Sequence, residues 1–251
     1  MSGMETAVKL RRRDLLCSTT AAFLLGSFTA GCARTVNLDH PWVQGGADPP
    51  TPVFPGPWRY FTPEEAAVVV AIADRMIPAD DASPGGGQAG CAVFIDAQLA
   101  GSYGSAERMY MRPPFLPGTP QQGGQSPLTP AQQYRAGLAA LDAHCLATFV
   151  GKHFAELTAA QQDDTLGRME KGQVNFSGIG SAAFFELLLQ NVMEGFFADP
   201  IYGGNRDMVG WKLIGFPGAR YDYSDYIDKH NQPFPLPPVG LQGRREWKAR
   251  G

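Results

Sequence analysis

The side chains that metal, acid–base or nucleophilic chemistry would draw on are few in this sequence, and their spacing is poor for it. His144 and His153 stand nine residues apart, which puts them on opposite sides of one continuous helix, out of reach of a shared metal. No Glu-x-x-His or His-x-x-x-His pattern occurs, and His40 and His230 fall in loop-like stretches. The acidic pairs Asp80-Asp81 and Asp163-Asp164 are sequence neighbours, whose side chains diverge. The second pair lies in the first turn of an expected helix, where carboxylates favour the helix dipole. A Gly-x-Ser-x-Gly elbow and a Cys-x-x-Cys-His haem attachment are both missing. The readings are satisfied or solvated histidines and capping acids, with no catalytic, cofactor-binding or metal residue assigned.

The remaining candidate is "DPIYGGNRDMVGWKLIGFPG", Asp199–Gly218, with five glycines. It lacks the Gly-x-Gly-x-x-Gly spacing, follows a helix where that fingerprint follows a strand, and has no Gly-Lys-Ser/Thr end. A phosphate cradle is therefore rejected. Gly203 and Gly204 are expected to supply positive-φ turns, with Asn205 tolerant of them. Asp199, Tyr202, Gly203, Gly204, Asn205, Trp211 and Phe216 then form a turn-built platform whose aromatic surfaces suit a protein interface. The competing reading is an internal plug packed on the preceding helix. The two differ at Trp211→Ala, which loosens a partner on the first reading and unfolds the monomer on the second.

The elements that must hold this stretch are helical. In "FTPEEAAVVVAIADRMI", Thr62 and Glu65 make a capping box, Pro63 takes the first helical position, and Ala66, Val69, Val70, Ala73 and Met76 share a face ended by Pro78. A shorter helix is expected in "AVFIDAQLAG". Capping boxes at Thr129–Gln132 and Thr158–Gln161 open two more, and Leu138, Leu141, Cys145 and Phe149 keep the apolar face of the first of these. Ala182–Phe197 is apolar around most of its circumference and is expected at the centre. No period-two alternation of β-branched residues appears. The fold class is all-α, a single domain of about five helices over residues 61–223, with long Pro/Gly-rich loops that include 112–128. A Pro/Gly-rich linker spans 32–60, and a Pro-rich tail spans 224–251.

Bulk properties agree with one such domain plus extensions: 251 residues, 44% hydrophobic, 18% charged, formal net charge −3. A weakly acidic chain gives no electrostatic basis for binding nucleic acid. Residues 1–31 read as an export signal, with a basic start, an uncharged run and a small-residue close. Arg12-Arg13 followed by Asp14-Leu15-Leu16 resembles the twin-arginine pattern, an address read by the twin-arginine translocase that places the chain in the periplasm. Thr29-Ala30-Gly31-Cys32 resembles a lipobox with Thr29 where Leu is usual. If acylated, Cys32 tethers the chain to the membrane surface without spanning it. Export leaves Cys91 and Cys145 in an oxidising compartment, where a disulfide is expected, contributing on the order of 4 kcal/mol; two buried thiols are the alternative.

Two stretches carry a family resemblance. "FADPIYGGNRDMVGWKLIGFPG" resembles the closing motif of the gluconate 2-dehydrogenase subunit 3 family, and "FTPEEAAVVVAIADRMIPADD" resembles its opening. The likeness runs from about Phe61 to Tyr223, with 112–128 less family-like. It implies a non-catalytic small subunit of a periplasm-facing, membrane-associated sugar or polyol dehydrogenase. The implied partners are a large flavoprotein of the GMC type, which holds FAD, and in many members a multihaem cytochrome c subunit carrying haem c. The small subunit itself has no known cofactor and supplies the twin-arginine signal for the flavoprotein. Two alternatives stand beside this. One is a free-standing periplasmic lipoprotein that binds a small ligand through 199–218. The other is an autonomous enzyme using Asp199, Asn205 and His144.

Overall fold

The computed structural model describes residues 51–242 except 117, 120, 121, 123, 124 and 221. Arg12, Arg13 and the rest of the expected signal, Cys32, the first part of the linker and residues 243–251 lie outside the described residues. Among the described residues the fold is helical, and the single β-type pairing is an isolated bridge.

Helix α1, Pro63–Met76, begins where its first free N–H groups find partners: Glu65 N–H donates to Thr62 Oγ1 at 3.2 Å, and Thr62 N–H to Glu65 Oε2 at 2.8 Å. It buries Ala66, Val69, Ile72 and Ala73. Helix α2, Cys91–Leu99, is short and buries most of its length. Helices α3, Pro130–Thr148, and α4, Ala159–Glu170, open on the capping boxes at Thr129 and Thr158. Helix α5, Ser181–Phe197, touches each of the other helices and is the central element. Its burial is not complete around the circumference. Ala182, Ala183, Glu186, Gln190, Met193 and Glu194 form one exposed strip, while Phe184, Leu188, Val192 and Phe196 face the core. A sixth helix, α6, Val209–Ile214, lies inside the glycine-rich stretch. At six residues it is too short for hydrophobic periodicity to reveal.

Two expectations are corrected by these elements. Helix α3 ends at Thr148, so His153 is not on it. His153 instead precedes the 3-10 turn Phe154–Glu156, and its Nδ1 meets Asp142 Oδ1 at 2.5 Å. Cys91 and Cys145 do not form the expected disulfide: both are free thiols with no measurable exposure. Cys91 opens α2 against α5, where a Cβ on Gly195 would come within 3.2 Å of the Cys91 Cα, and Cys145 lies on the core face of α3. Each thiol fills apolar volume as a small hydrophobe. Burial pushes the Cys91 thiol up to about 12 and the Cys145 thiol up to about 11, so neither carries the thiolate that disulfide exchange needs.

The approach to α1 is held by side chains that periodicity does not flag. Asp96 on α2 is buried, and its carboxylate accepts the backbone N–H groups of Arg59, Tyr60 and Phe61, each at 2.9 Å. Arg135 of α3 stacks over the Tyr60 ring and bonds both Glu65 and the Tyr60 carbonyl. The chain beyond Tyr223 also returns. Val239, only 3% exposed, pairs in parallel with Gly218, and Ala219 N–H donates to the Val239 carbonyl at 2.6 Å.

Candidate functional site: the glycine-rich frame after α5

Asp199 follows α5 and works in two directions. Its Oδ1 accepts Ile201 N–H at 3.0 Å and so caps the turn Pro200–Tyr202; its Oδ2 accepts Leu241 N–H at 2.7 Å and pins the returning tail. Gly203 then takes φ 92°, a left-handed conformation that a Cβ would strain. Gly204 is needed for another reason than the positive φ expected of it: a Cβ there would stand 2.1 Å from the Gly195 carbonyl oxygen. The stretch lies against α5 at backbone distance.

Asn205 is the polar centre of the frame. It is fully buried at φ 45°, a conformation Asn tolerates better than most non-glycine residues. Its Nδ2 donates to the Ala198 carbonyl at 2.8 Å, and its Oδ1 accepts Gly210 N–H at 2.8 Å. One side chain thereby supplies partners to the C-terminal end of α5 and the N-terminal end of α6, where helices leave backbone groups unpaired. Asp207 and Met208 also take positive φ, at 57° and 58°, which turns the chain into α6. Arg206 N–H donates to the Ala89 carbonyl at 2.9 Å and Val53 N–H to the Ile201 carbonyl at 2.8 Å, so the frame is tied to the start of α2 and to the segment before α1.

Trp211 corrects the expectation of a displayed aromatic. It is 5% exposed, and its Nε1–H donates to the Phe197 carbonyl at 2.7 Å. The indole fills the space between α6 and the end of α5, which is the plug reading. Gly203, Gly204 and Asn205 are likewise buried, and Tyr202 is half-buried. Phe216 differs: its ring meets the Trp211 indole edge-on, with centroids 5.1 Å apart, and remains 44% exposed. Beside it in sequence, Leu213 and Ile214 are exposed on the outer side of α6. The outward apolar surface is therefore Leu213, Ile214 and Phe216, carried on a frame whose other large residue points inward.

The interior of the frame holds backbone and its own side chains. A small niche of about 20 Å³ lies elsewhere, between the 53–59 segment and Val93, Asp96 and Ala97 of α2, with room for about one water. Asp199, Asn205 and His144 are not joined: the first two spend their polar atoms on backbone groups, and His144 Nε2 on α3 is buried without a partner. Burial, reinforced by Arg168, pushes the His144 imidazole below the ordinary histidine value. Among the described residues, no group of three or more His, Cys, Asp or Glu is placed to hold a metal ion. No helix among them is long and apolar enough to cross a membrane.

Sequence reasoning missed Asp96 and the double role of Asp199. The signal for Asp96 is present in "CAVFIDAQL", where it is the one charged side chain in an apolar helix. Asp199 before Pro200 has the pattern of a capping residue, but nothing local indicates Leu241 as its second donor.

No curated protein and no solved structure matches the chain. The family description of gluconate 2-dehydrogenase subunit 3 matches residues 63–218, which run from the first residue of α1 to the glycine that pairs with Val239. That match covers well over half of the chain, and the chain belongs to the gluconate 2-dehydrogenase subunit 3 family.

Proposed function

We propose that this chain is the non-catalytic small subunit of a periplasmic, FAD-dependent sugar or polyol dehydrogenase. In this reading it binds and stabilises a GMC-type flavoprotein and supplies the pair's twin-arginine export signal. The observation that carries the reading is the family match over the whole helical unit, 63–218. Substrate oxidation takes place on the flavin of the large subunit, with a multihaem cytochrome c subunit as the onward electron acceptor. This chain contributes surface and address, and Cys32 is the site at which a lipid tether would be attached.

Co-expression of the tagged full chain with its genomic neighbours tests the pairing. The expected result is a co-purifying large subunit with flavin absorbance in the eluate; a chain that elutes without flavoprotein refutes it. Arg12→Lys with Arg13→Lys is expected to retain both subunits, flavin included, in the cytoplasm. Export of the flavoprotein by that variant would refute the shared-signal part alone.

A further inference from the structure

We propose that the loop segment 107–116 docks on the exposed strip of α5 of a second copy of this chain, each copy giving its loop to the other's strip in a two-fold dimer. The inference goes beyond the flavoprotein reading and does not rest on it.

The two surfaces carry opposite charge. Helix α5 holds Glu186 and Glu194 and no basic side chain, and both acids lie on its exposed strip with Gln190 and Met193, the last 49% exposed. In "ERMYMRPPFL", residues 107–116, Arg108 and Arg112 flank Tyr110, which is 82% exposed, and Met109 and Leu116 are exposed as well. Glu107, the one acid of that segment, lies at its root, where Ser105 Oγ–H donates to Glu107 Oε1 at 3.4 Å. Among the described residues, Arg108, Arg112, Glu186 and Glu194 enter no ion pair, so the charges of the two surfaces are not spent on each other within one copy. Arg, Tyr and Met are the side chains that protein contacts favour. An exposed Met between carboxylates offers such a segment apolar contact and counter-charge together.

The structure puts both surfaces on one face. At the root of the loop, Asn191 Nδ2 of α5 donates to the Tyr103 hydroxyl oxygen at 3.2 Å and to Glu194 Oε2 at 3.1 Å. The turn that follows is closed by Glu107 N–H on the Ser102 carbonyl and Met109 N–H on the Ala106 carbonyl, each at 3.0 Å. The segment therefore leaves the fold beside the Glu194 end of the strip. From Tyr110 to Leu116 it makes no backbone hydrogen bond among the described residues. Four residues separate Arg108 from Arg112, at most about 13–14 Å of extended chain. Eight residues of helix separate Glu186 from Glu194, about 12 Å. A cationic half and an anionic half of similar span, side by side on one face, become complementary to themselves after a two-fold rotation, which is what an isologous dimer requires.

Sedimentation velocity on the full chain carrying Cys32→Ala, which removes any acyl contribution, tests the proposal. The native surface is expected to give a dimer at micromolar protein, weakened by high salt. Arg108→Glu with Arg112→Glu, and separately Glu186→Arg with Glu194→Arg, are each expected to raise the dimer dissociation constant roughly 30-fold or more, since four exposed pairs worth about two- to threefold apiece are lost per dimer. An equimolar mixture of the two variants is expected to regain association, because the reversed loop of one meets the reversed strip of the other while the native halves meet as before. Should the second pair disturb α5 through Asn191, Glu186→Arg alone takes its place. Tyr110→Ala is expected to weaken the dimer about 30-fold at an unchanged melting temperature. A native surface that stays monomeric, or a mixture that does not recover, overturns the proposal. Association unchanged in both charge-reversed variants also overturns it, and assigns self-contact to residues outside loop and strip. A monomer whose loop variant loses a co-purifying subunit overturns it as well, and assigns the face to that subunit.

Discussion

Replacing Trp211 separates a displayed aromatic from a structural one. At 5% exposure the indole loses nearly all its contacts in Trp211→Ala, a truncation that costs about 3–5 kcal/mol in a packed interior. The Phe197 carbonyl also loses the Nε1–H donor at 2.7 Å, worth roughly 1 kcal/mol. For a domain of this size each kcal/mol moves the melting temperature by about 2–4 °C, so the variant is expected to melt about 8–24 °C below the wild type. Phe216→Ala removes a ring that is 44% exposed and half-supported by the Trp211 edge, and is expected to cost only about 1–1.5 kcal/mol. Trp211→Phe keeps most of the volume and loses the hydrogen bond, and falls between the two. Thermal unfolding followed by circular dichroism measures all three on the full chain. A Trp211→Ala protein that melts within about 3 °C of the wild type refutes the packing argument, because no indole that fills the frame can be removed so cheaply.

Three further outcomes follow from groups outside the frame. Asp96→Ala leaves the N–H groups of Arg59, Tyr60 and Phe61 without their acceptor and is expected to cost about 3–5 kcal/mol by denaturant unfolding, with Asp96→Asn near half of that because one carbonyl oxygen remains; equal stabilities for Ala and wild type would remove Asp96 as the anchor of the segment before α1. Cys91 and Cys145 are expected to resist iodoacetamide at pH 8 in the native protein and to be alkylated at once on unfolding without reductant; a pair that reacts only after reduction would restore the disulfide. The hydrogen bond from Asp142 raises the His153 imidazole above its ordinary value, so its stabilising effect is complete below about pH 6.5 and is lost as pH rises through the raised value. His144 is shifted down and acts with the opposite sign, its effect being present above about pH 6.5 and lost as pH falls. At low ionic strength Asp142→Asn is therefore expected to remove the stability decrease that sets in above about pH 6.5 and leave the acid-side decrease in place; a decrease that persists unchanged in the variant would discard the pair.

The helices were legible where local chemistry and tertiary need coincide. Thr62, Thr129 and Thr158 each satisfy the first N–H groups of the helix they open, a requirement met within four residues of sequence, so the helix starts could be read directly. The central place of α5 followed from its apolar content, yet the exposed strip through Glu186, Gln190 and Glu194 shows that its polar residues already marked a solvent side. What could not be read was long-range. Asp96 meets donors more than thirty residues earlier, and Asp199 meets one 42 residues later; neither spacing leaves a period. The cysteines were misread because compartment chemistry permits a disulfide without supplying the geometry for one.

The frame was half legible for a related reason. Glycine, asparagine and aromatic residues in one stretch signal that backbone and rings meet closely, but composition does not say on which side. The decision rests on Gly204, whose missing Cβ brings the chain onto the Gly195 carbonyl, and on Asn205, whose amide bonds both Ala198 and Gly210. Once those contacts are made, α6 starts where it must, and its first turn directs Trp211 at Phe197. A helix whose inner face is committed in this way turns Leu213 outward, since the residue two positions on from Trp211 lies across the helix from it, and Ile214 is exposed as the last residue of α6. The outward apolar edge is thus a consequence of the inward plug: a change that loosens Asn205 or Trp211 is expected to abolish both together, and a change at Leu213 or Ile214 to remove the edge alone.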